Sequence, residues 1–468
     1  MKYISTRGKK SNKKSFKEVL LEGLADEGGL FVPESLPQFS TAELQSMRQV
    51  PYNRLAYTLI KPFVADDIAD NTLKKLIDES YAQFSHPAVA PLYQLESNQW
   101  ILELFHGPTL AFKDFALQLL GRLLDVVLAD QGEQAVVLGA TSGDTGSAAI
   151  EGCRHSKNLA IFILHPHQRV SDVQRRQMTT VLSPNVHNIA IKGDFDDCQA
   201  LVKACFLNPM FLSDKIRLVA VNSINWARIM AQVVYYFYAG LRLGALEREI
   251  IFSVPTGNFG DVYAGYIAKK MGLPVHQFIV ATNKNDILHR FFQSNDYSRA
   301  ILHQTLSPSM DIMVSSNFER LLFNAHNQDA RTVKQLMVTF EATGKLSVKE
   351  EVWKSLKFVF GSYASTDEDI CQIIKETYKQ TGYLLDPHTA AGVNAANKVN
   401  QQQAYSNIIL ATAHPAKFTD AINQARLNTA QTPTHITELF DKEERLTVLP
   451  KGLEPLQTFI QTHYDRSC

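Results

Sequence analysis

The stretch Ala135-Val136-Val137-Leu138-Gly139-Ala140-Thr141-Ser142-Gly143-Asp144-Thr145-Gly146 passes from an unbroken apolar run into a loop of glycine, hydroxyl and other small residues. A short apolar run without polar alternation reads as a strand buried on both faces, and such strands belong to parallel sheets covered by helices. The same punctuation recurs along the chain. Residues 159–164 run into His165-Pro166, 186–191 into Gly193-Asp194, and 218–221 into Asn222-Ser223. Residues 250–254 run into Pro255-Thr256-Gly257-Asn258-Phe259-Gly260, and 408–410 into Ala411-Thr412-Ala413-His414-Pro415. Apolar strands alternating with helices predict an α/β architecture with mainly parallel sheets. Ligands in such sheets bind beyond the carboxyl ends of the strands, which here are rich in Gly, Ser and Thr.

Outward from this core the texture differs. Residues 1–95 read as an N-terminal helical domain. A helix is predicted over 15–24, followed by the turn Asp26-Glu27-Gly28-Gly29 and a strand-like Leu30-Phe31-Val32 before Pro33. Further helices are predicted over 41–47 and 72–84. Residues 96–280 hold most of the strand-and-loop pattern, 281–380 read as a polar helical insertion with few strands, and 381–468 complete the α/β part. The start, MKYISTRGKKSNKKS, carries six basic residues and no acid and lacks the apolar core of a secretory signal. It reads as a solvated, partly mobile segment, or as one whose Arg7 reaches an anionic ligand.

Composition excludes several functions. Across 468 residues Lys plus Arg and Asp plus Glu are each 47, so no basic excess favours nucleic-acid binding. The most apolar stretch, 229–245, contains Gln232, Arg242 and two glycines, so no membrane span is expected. Cys153, Cys198, Cys205, Cys371 and Cys468 include no C-x-x-C pair, so neither a disulfide scaffold nor a metal site is expected. A cytoplasmic protein is the simplest expectation.

Three loops carry chemistry. Thr256-Gly257-Asn258-Phe259-Gly260-Asp261 joins a strand to a helix over 262–271. Inward-turned amides at a helix N-terminus cradle a phosphate, although the same residues also suit a plain turn. The loop 139–146 offers Thr141, Ser142 and Thr145 to a carboxylate or phosphate, while Asp144 would oppose an isolated anion or cap the helix. In Phe105-His106-Gly107-Pro108-Thr109-Leu110-Ala111-Phe112-Lys113-Asp114-Phe115, Lys113 lies between aromatic residues. Desolvation favours its neutral amine, the form that attacks a carbonyl. Spacing alone also allows a surface lysine at a helix start, and His106 reads as a structural hydrogen-bonder. Together, a lysine, a phosphate cradle and a polar carboxylate loop suit pyridoxal 5′-phosphate, with Thr412 available to face the ring nitrogen.

These residues resemble the threonine synthase family, in its subgroup with a long N-terminal region, over essentially the whole chain. The resemblance rests on Gly28-Gly29-Leu30-Phe31-Val32-Pro33, Glu103-Leu104-Phe105-His106-Gly107-Pro108-Thr109, Ala111-Phe112-Lys113-Asp114, Asn222-Ser223-Ile224-Asn225, the two glycine loops, and Thr412-Ala413-His414-Pro415-Ala416-Lys417-Phe418. It implies the tryptophan-synthase-β-like fold, fold type II among pyridoxal-phosphate enzymes. It also implies conversion of O-phospho-L-homoserine and water to L-threonine and phosphate, by γ-elimination and β-hydration. By the same resemblance Lys113 is the Schiff-base lysine and Gly257, Asn258, Phe259 and Gly260 hold the cofactor phosphate. Thr412 faces the pyridine nitrogen and Asp144 the ring 3′-oxygen. Thr141, Ser142 and Thr145 are expected at the substrate carboxylate. Arg228 and Asn225 are expected at its phosphate, with Lys417 and Arg7 as further candidates. A monomer or homodimer is expected, with no nucleic-acid or membrane partner.

The rival readings are a phospholyase of the same fold releasing 2-oxobutyrate, a catalytically silent paralogue acting as a binding protein, and a nucleotide-binding enzyme. The second is opposed by the intact lysine and phosphate loop. The third is opposed by the missing P-loop and dinucleotide fingerprints.

Overall fold

The six apolar runs form strands, and every one lies in a parallel pair. The computed structural model describes residues 1–213, 216–220, 222–400, 405–427 and 432–464; Val221 and Cys468 lie outside these. A five-stranded sheet has the order Thr447–Leu449, Val186–Ile191, Leu159–Pro166, Gln134–Ala140, Ile216–Ala220, and is parallel throughout. A six-stranded sheet has the order Phe360–Ala364, Gln277–Thr282, Ile250–Pro255, Ser406–Ala411, Gln99–Glu103, Leu92–Glu96. Only its last strand is antiparallel. The strands Leu159–Pro166, Ile250–Pro255 and Ser406–Ala411 are buried at every residue, as their unbroken apolar runs require.

Helices cover the sheets. Trp226–Arg242 is buried from Trp226 to Leu241 and packs against Tyr52–Val64, Lys113–Gln131 and Gly260–Lys270. A helix apolar on nearly all sides has to lie inside the molecule. Lys113–Gln131 also crosses Asp144–Cys153 at unusually close range. A Cβ on Gly121 would stand 2.2 Å from the Gly152 carbonyl oxygen, and one on Gly152 the same distance from that of Leu117. Two glycines facing each other thus set the spacing of two helices.

The N-terminus is anchored at residues 3–6, although residues 9–13 are exposed as expected. Tyr3–Ser5 pairs antiparallel with Phe31–Pro33, and Tyr3 is fully buried, its hydroxyl donating to the Phe63 carbonyl at 2.8 Å. Its ring lies 6.1 Å from that of Trp226. The basic residues 9–14 frame this anchor, so composition masked a short buried strand. The region 281–380 is mainly helical, yet Phe360–Ala364 adds an edge strand to the large sheet, with only Phe360 and Ser362 buried. No helix among the described residues is long and apolar enough to cross a membrane.

Candidate active site

Three neighbouring parallel strands, Gln99–Glu103, Ser406–Ala411 and Ile250–Pro255, end on the same side. Beyond them lie the segment leading to Lys113, Thr412, and the loop 256–261 respectively. The first two are tied together directly. The Phe112 amide donates to the Thr412 carbonyl at 2.8 Å, and the His414 amide to that of Leu110 at 3.1 Å. Asp114, fully buried, closes the turn before the helix by accepting from the Thr109 amide at 2.8 Å and hydroxyl at 2.9 Å. Burial pushes its carboxyl up to about 7 against those hydrogen bonds. Lys113 therefore starts its helix at a fixed place beside Thr412, a buried residue whose hydroxyl has no hydrogen-bond partner among the described residues.

From the smaller sheet, strand Gln134–Ala140 delivers Asp144, whose Oδ2 lies 3.4 Å from Lys113 Nζ. Its Oδ1 pairs with Lys417 Nζ at 2.6 Å and accepts from Gln174 Nε2 at 2.8 Å. Burial would raise the Asp144 carboxyl, but Lys417, Lys113 and the Gln174 hydrogen bond outweigh it and hold it far below the usual carboxylate range. Lys113 is lowered from an ordinary lysine by burial, with Asp144 opposing and Lys417 and Arg228 adding to the effect.

The loop 256–261 has the form of an anion nest. The amides of Gly257, Asn258, Phe259 and Asp261 meet no protein acceptor among the described residues, while Gly260 donates to Asn258 Oδ1 at 2.8 Å. Phe259 sits in the left-handed region at φ 65°, which turns successive amides to one side. Its buried ring packs on Phe318 and Phe360, holding a conformation a phenylalanine rarely takes. The loop is braced from behind: Ser315 Oγ donates to the Gly257 carbonyl at 2.5 Å and the Asn317 amide to that of Asn258 at 3.0 Å. A Cβ on Gly257 would stand 3.0 Å from the Ser309 carbonyl oxygen, and one on Gly260 3.2 Å from Asn317 Nδ2. A side chain on Gly257 would thus crowd Ser309 and Ile312, and one on Gly260 would crowd Asn258 and Asn317. In the second loop Thr141 Oγ1 accepts from the amides of Gly143 and Gly146, both at 2.9 Å, which pins the turn. Gly143 has φ 144°, and a Cβ there would stand 2.4 Å from Gln174. Ser142 is exposed and Thr145 half-buried, and neither hydroxyl has a protein partner among the described residues.

The remaining candidates separate by their partners. Arg228 is buried, donates once to the Asn222 carbonyl at 3.0 Å and has no carboxylate partner among the described residues. Burial lowers it to about 10, so it stays charged at neutral pH. Asn225 is committed at both ends, donating to the Leu20 carbonyl at 2.8 Å and accepting from the Ala227 amide at 3.0 Å, so it caps a helix instead of facing the site. Arg7 is taken by Glu319 at 2.8 Å and Glu341 at 3.4 Å, and Lys417 by Asp144. His106 meets Glu103 at 2.7 Å. Sequence reasoning missed Gln174 and Gln177, the latter donating to the Thr109 carbonyl at 3.0 Å. Their signal was two buried glutamines three apart on the otherwise polar helix Asp172–Thr179.

Comparisons with known proteins agree with this geometry. Residues 2–81 match the family described as threonine synthase N terminus, 86–353 that of pyridoxal-phosphate dependent enzymes, and 389–460 the C-terminal family of threonine synthase. The chain is 58% identical over 467 residues to the threonine synthase of Pseudomonas aeruginosa, covering 100% of this chain and 99% of that one. The chain belongs to the threonine synthase family. Two solved threonine synthases superpose closely, each covering 99% of both chains. The pyridoxal-phosphate-bound one from Brucella melitensis has a TM-score of 0.96 at 47% identity, and the one from yeast 0.95 at 39%. The fold is therefore fold type II of the pyridoxal-phosphate enzymes, and pyridoxal 5′-phosphate is the cofactor. The residues present fit it: four unpartnered loop amides suit its phosphate, a desolvated lysine its aldehyde, and an unpartnered hydroxyl its ring nitrogen.

Proposed function

We propose that this threonine synthase converts O-phospho-L-homoserine and water to L-threonine and phosphate, as the last step of threonine formation. The observation that carries the reading is Arg228, a buried cation with no acidic partner among the described residues, within electrostatic reach of Lys113. A substrate with two anionic ends needs two cradles besides that of the cofactor. We assign Arg228 to the substrate phosphate, and the Ser142 and Thr145 hydroxyls to its carboxylate. Gly257, Asn258, Phe259 and Gly260 hold the cofactor phosphate, Lys113 its aldehyde, Thr412 its ring nitrogen, and Asp144 lies toward the 3′-oxygen. Bound pyridoxal phosphate supplies the electron sink that makes the Cα proton removable. Lys113, favoured as a free amine, takes that proton; a Cβ proton is lost as phosphate leaves Cγ, and protons then return at Cγ and Cα. Water then supplies the hydroxyl added at Cβ. Cys153, Cys198, Cys205 and Cys371 are unpaired thiols, which supports a cytoplasmic location.

A hydroxyl at Thr412 makes one hydrogen bond and does not hold a ring nitrogen protonated as a carboxylate would. Thr412→Val should keep bound cofactor, measured by absorbance after gel filtration, while turnover falls on the order of 100-fold. Turnover at the wild-type rate would remove Thr412 from the site.

The reaction itself is tested by product analysis in heavy water. Phosphate release does not discriminate, because a phospholyase releases it too. Threonine should dominate, with deuterium at Cα and Cγ. Predominant 2-oxobutyrate and ammonia would mean that the chain is the rival lyase.

A further inference from the structure

Two lysines converge on one carboxylate, and Arg228 adds its charge near Lys113. Lys113 arrives from the start of helix Lys113–Gln131, Lys417 from the turn Pro415–Lys417, Arg228 from helix Trp226–Arg242, and Asp144 from the start of helix Asp144–Cys153. The other nearby acid, Asp114, hydrogen-bonds Thr109, makes no ion pair among the described residues, and feels Lys417 only through its charge. Asp144 is shared unequally. Lys417, its side chain fully buried, stands 2.6 Å from Oδ1 and is fixed on its other side by the Thr109 carbonyl at 2.7 Å. Gln174 completes that oxygen. Lys113 meets only Oδ2, at 3.4 Å, well beyond the 2.7–2.9 Å of a charged N–H···O contact.

We propose that Lys417 is a positioning residue that occupies the Asp144 carboxylate and so leaves Lys113 free to shed its proton and act as an amine. One carboxylate neutralises one cation, and the geometry gives it to Lys417. The surplus positive charge is then relieved most easily at Lys113, whose ammonium has the longer contact with Asp144 and two further cations nearby. The direction of the Lys113 shift agrees: burial, Lys417 and Arg228 all favour the neutral form against Asp144. Lys417 was a candidate for the departing phosphate, but a side chain held between Asp144 and Thr109 has no free face for it. The proposal rests on Lys113 being the cofactor lysine.

The test uses three full-length chains stripped of cofactor: wild type, Lys417→Met, and Lys417→Met with Asp144→Asn. Methionine keeps the unbranched stem without the charge. The Lys113 titration is followed by carbon NMR of labelled lysine, assigned by loss of its signal in Lys113→Arg. Recombination with added pyridoxal phosphate is followed by absorbance. Without Lys417, Asp144 faces Lys113 alone, so Lys113 should titrate about one pH unit higher and recombine about tenfold more slowly at neutral pH. Removing the carboxylate as well should return both readings toward wild type, a rescue that a merely structural role for Lys417 would not produce. An unchanged or lowered titration in Lys417→Met, or a double variant as slow as the single one, overturns the proposal. Should Lys417→Met not fold, the wild type still decides: Lys113 titrating at or above an exposed lysine such as Lys10 also overturns it. The titration is independent of where the cofactor attaches, so a cofactor found on another lysine would sink the assignment of Lys113 separately.

Discussion

Lys113→Ala should lower threonine formation by about 10⁴-fold, because one side chain both anchors the cofactor and moves the substrate protons. Its thermal stability should stay near that of the wild type. The buried charge that Asp144 needs is supplied by Lys417 at 2.6 Å, so losing Lys113 strands no carboxylate. Borohydride treatment of the cofactor-loaded wild type should fix the cofactor to the peptide carrying Lys113, and the variant should give no such peptide. Lys417 is the informative competitor, since it shares the same acid. Label on Lys417, or a Lys113→Ala chain that keeps its turnover, would transfer the role.

Gly121→Val should be the most damaging change made away from the reacting groups. The added Cβ would stand 2.2 Å from a backbone oxygen, which has no rotamer by which to yield. The two helices must separate, at a cost of about 3 kcal/mol in urea unfolding, the upper end of ordinary overpacking. Lys113 and Asp144 start those two helices, so turnover should also fall on the order of 100-fold, as expected for a displacement near 1 Å. Gly240→Ala supplies the contrast. It lies on an equally buried helix, but its methyl reaches only the tip of Leu273 at 3.3 Å, so its stability should change by less than about 1 kcal/mol. Equal tolerance at both positions would contradict the helix crossing.

The fold was legible wherever a strand is buried on both faces. Leu159–Pro166 and Ser406–Ala411 are interior strands with no polar alternation to blur them. Edge strands carried no such signal. Leu92–Glu96 buries only Leu95, and Thr447–Leu449 buries none of its residues, so both resemble loop. The helix Tyr52–Val64 was hidden by Pro62 in its last turn; the ring forfeits a backbone bond to the Thr58 carbonyl, a loss that the buried apolar face of the helix offsets. In the site, glycine loops and the lysine between aromatic residues were legible because their chemistry is local. Partner choice was not. Nothing in the spacing of Arg7, Asn225 or Lys417 says that Glu319, Leu20 and Asp144 claim them, because each pairing spans about 200 residues or more and exists only once the chain has folded.

The place of Ser406–Ala411 has a consequence for how the protein is made. This strand is the last of its sheet to leave the ribosome, yet it lies between Ile250–Pro255 and Gln99–Glu103. Until it arrives, two earlier strands each present an open edge, and the contacts that close them are among the longest-range in the chain. Folding of the large sheet is therefore deferred until this strand has been made, and the nascent chain must be kept from pairing its bare edges with other chains. The same late segment brings Thr412 and Lys417. Chains cut short before it lack both the wedge that joins the sheet and two of the groups around Lys113, so the cell receives either a whole catalyst or none.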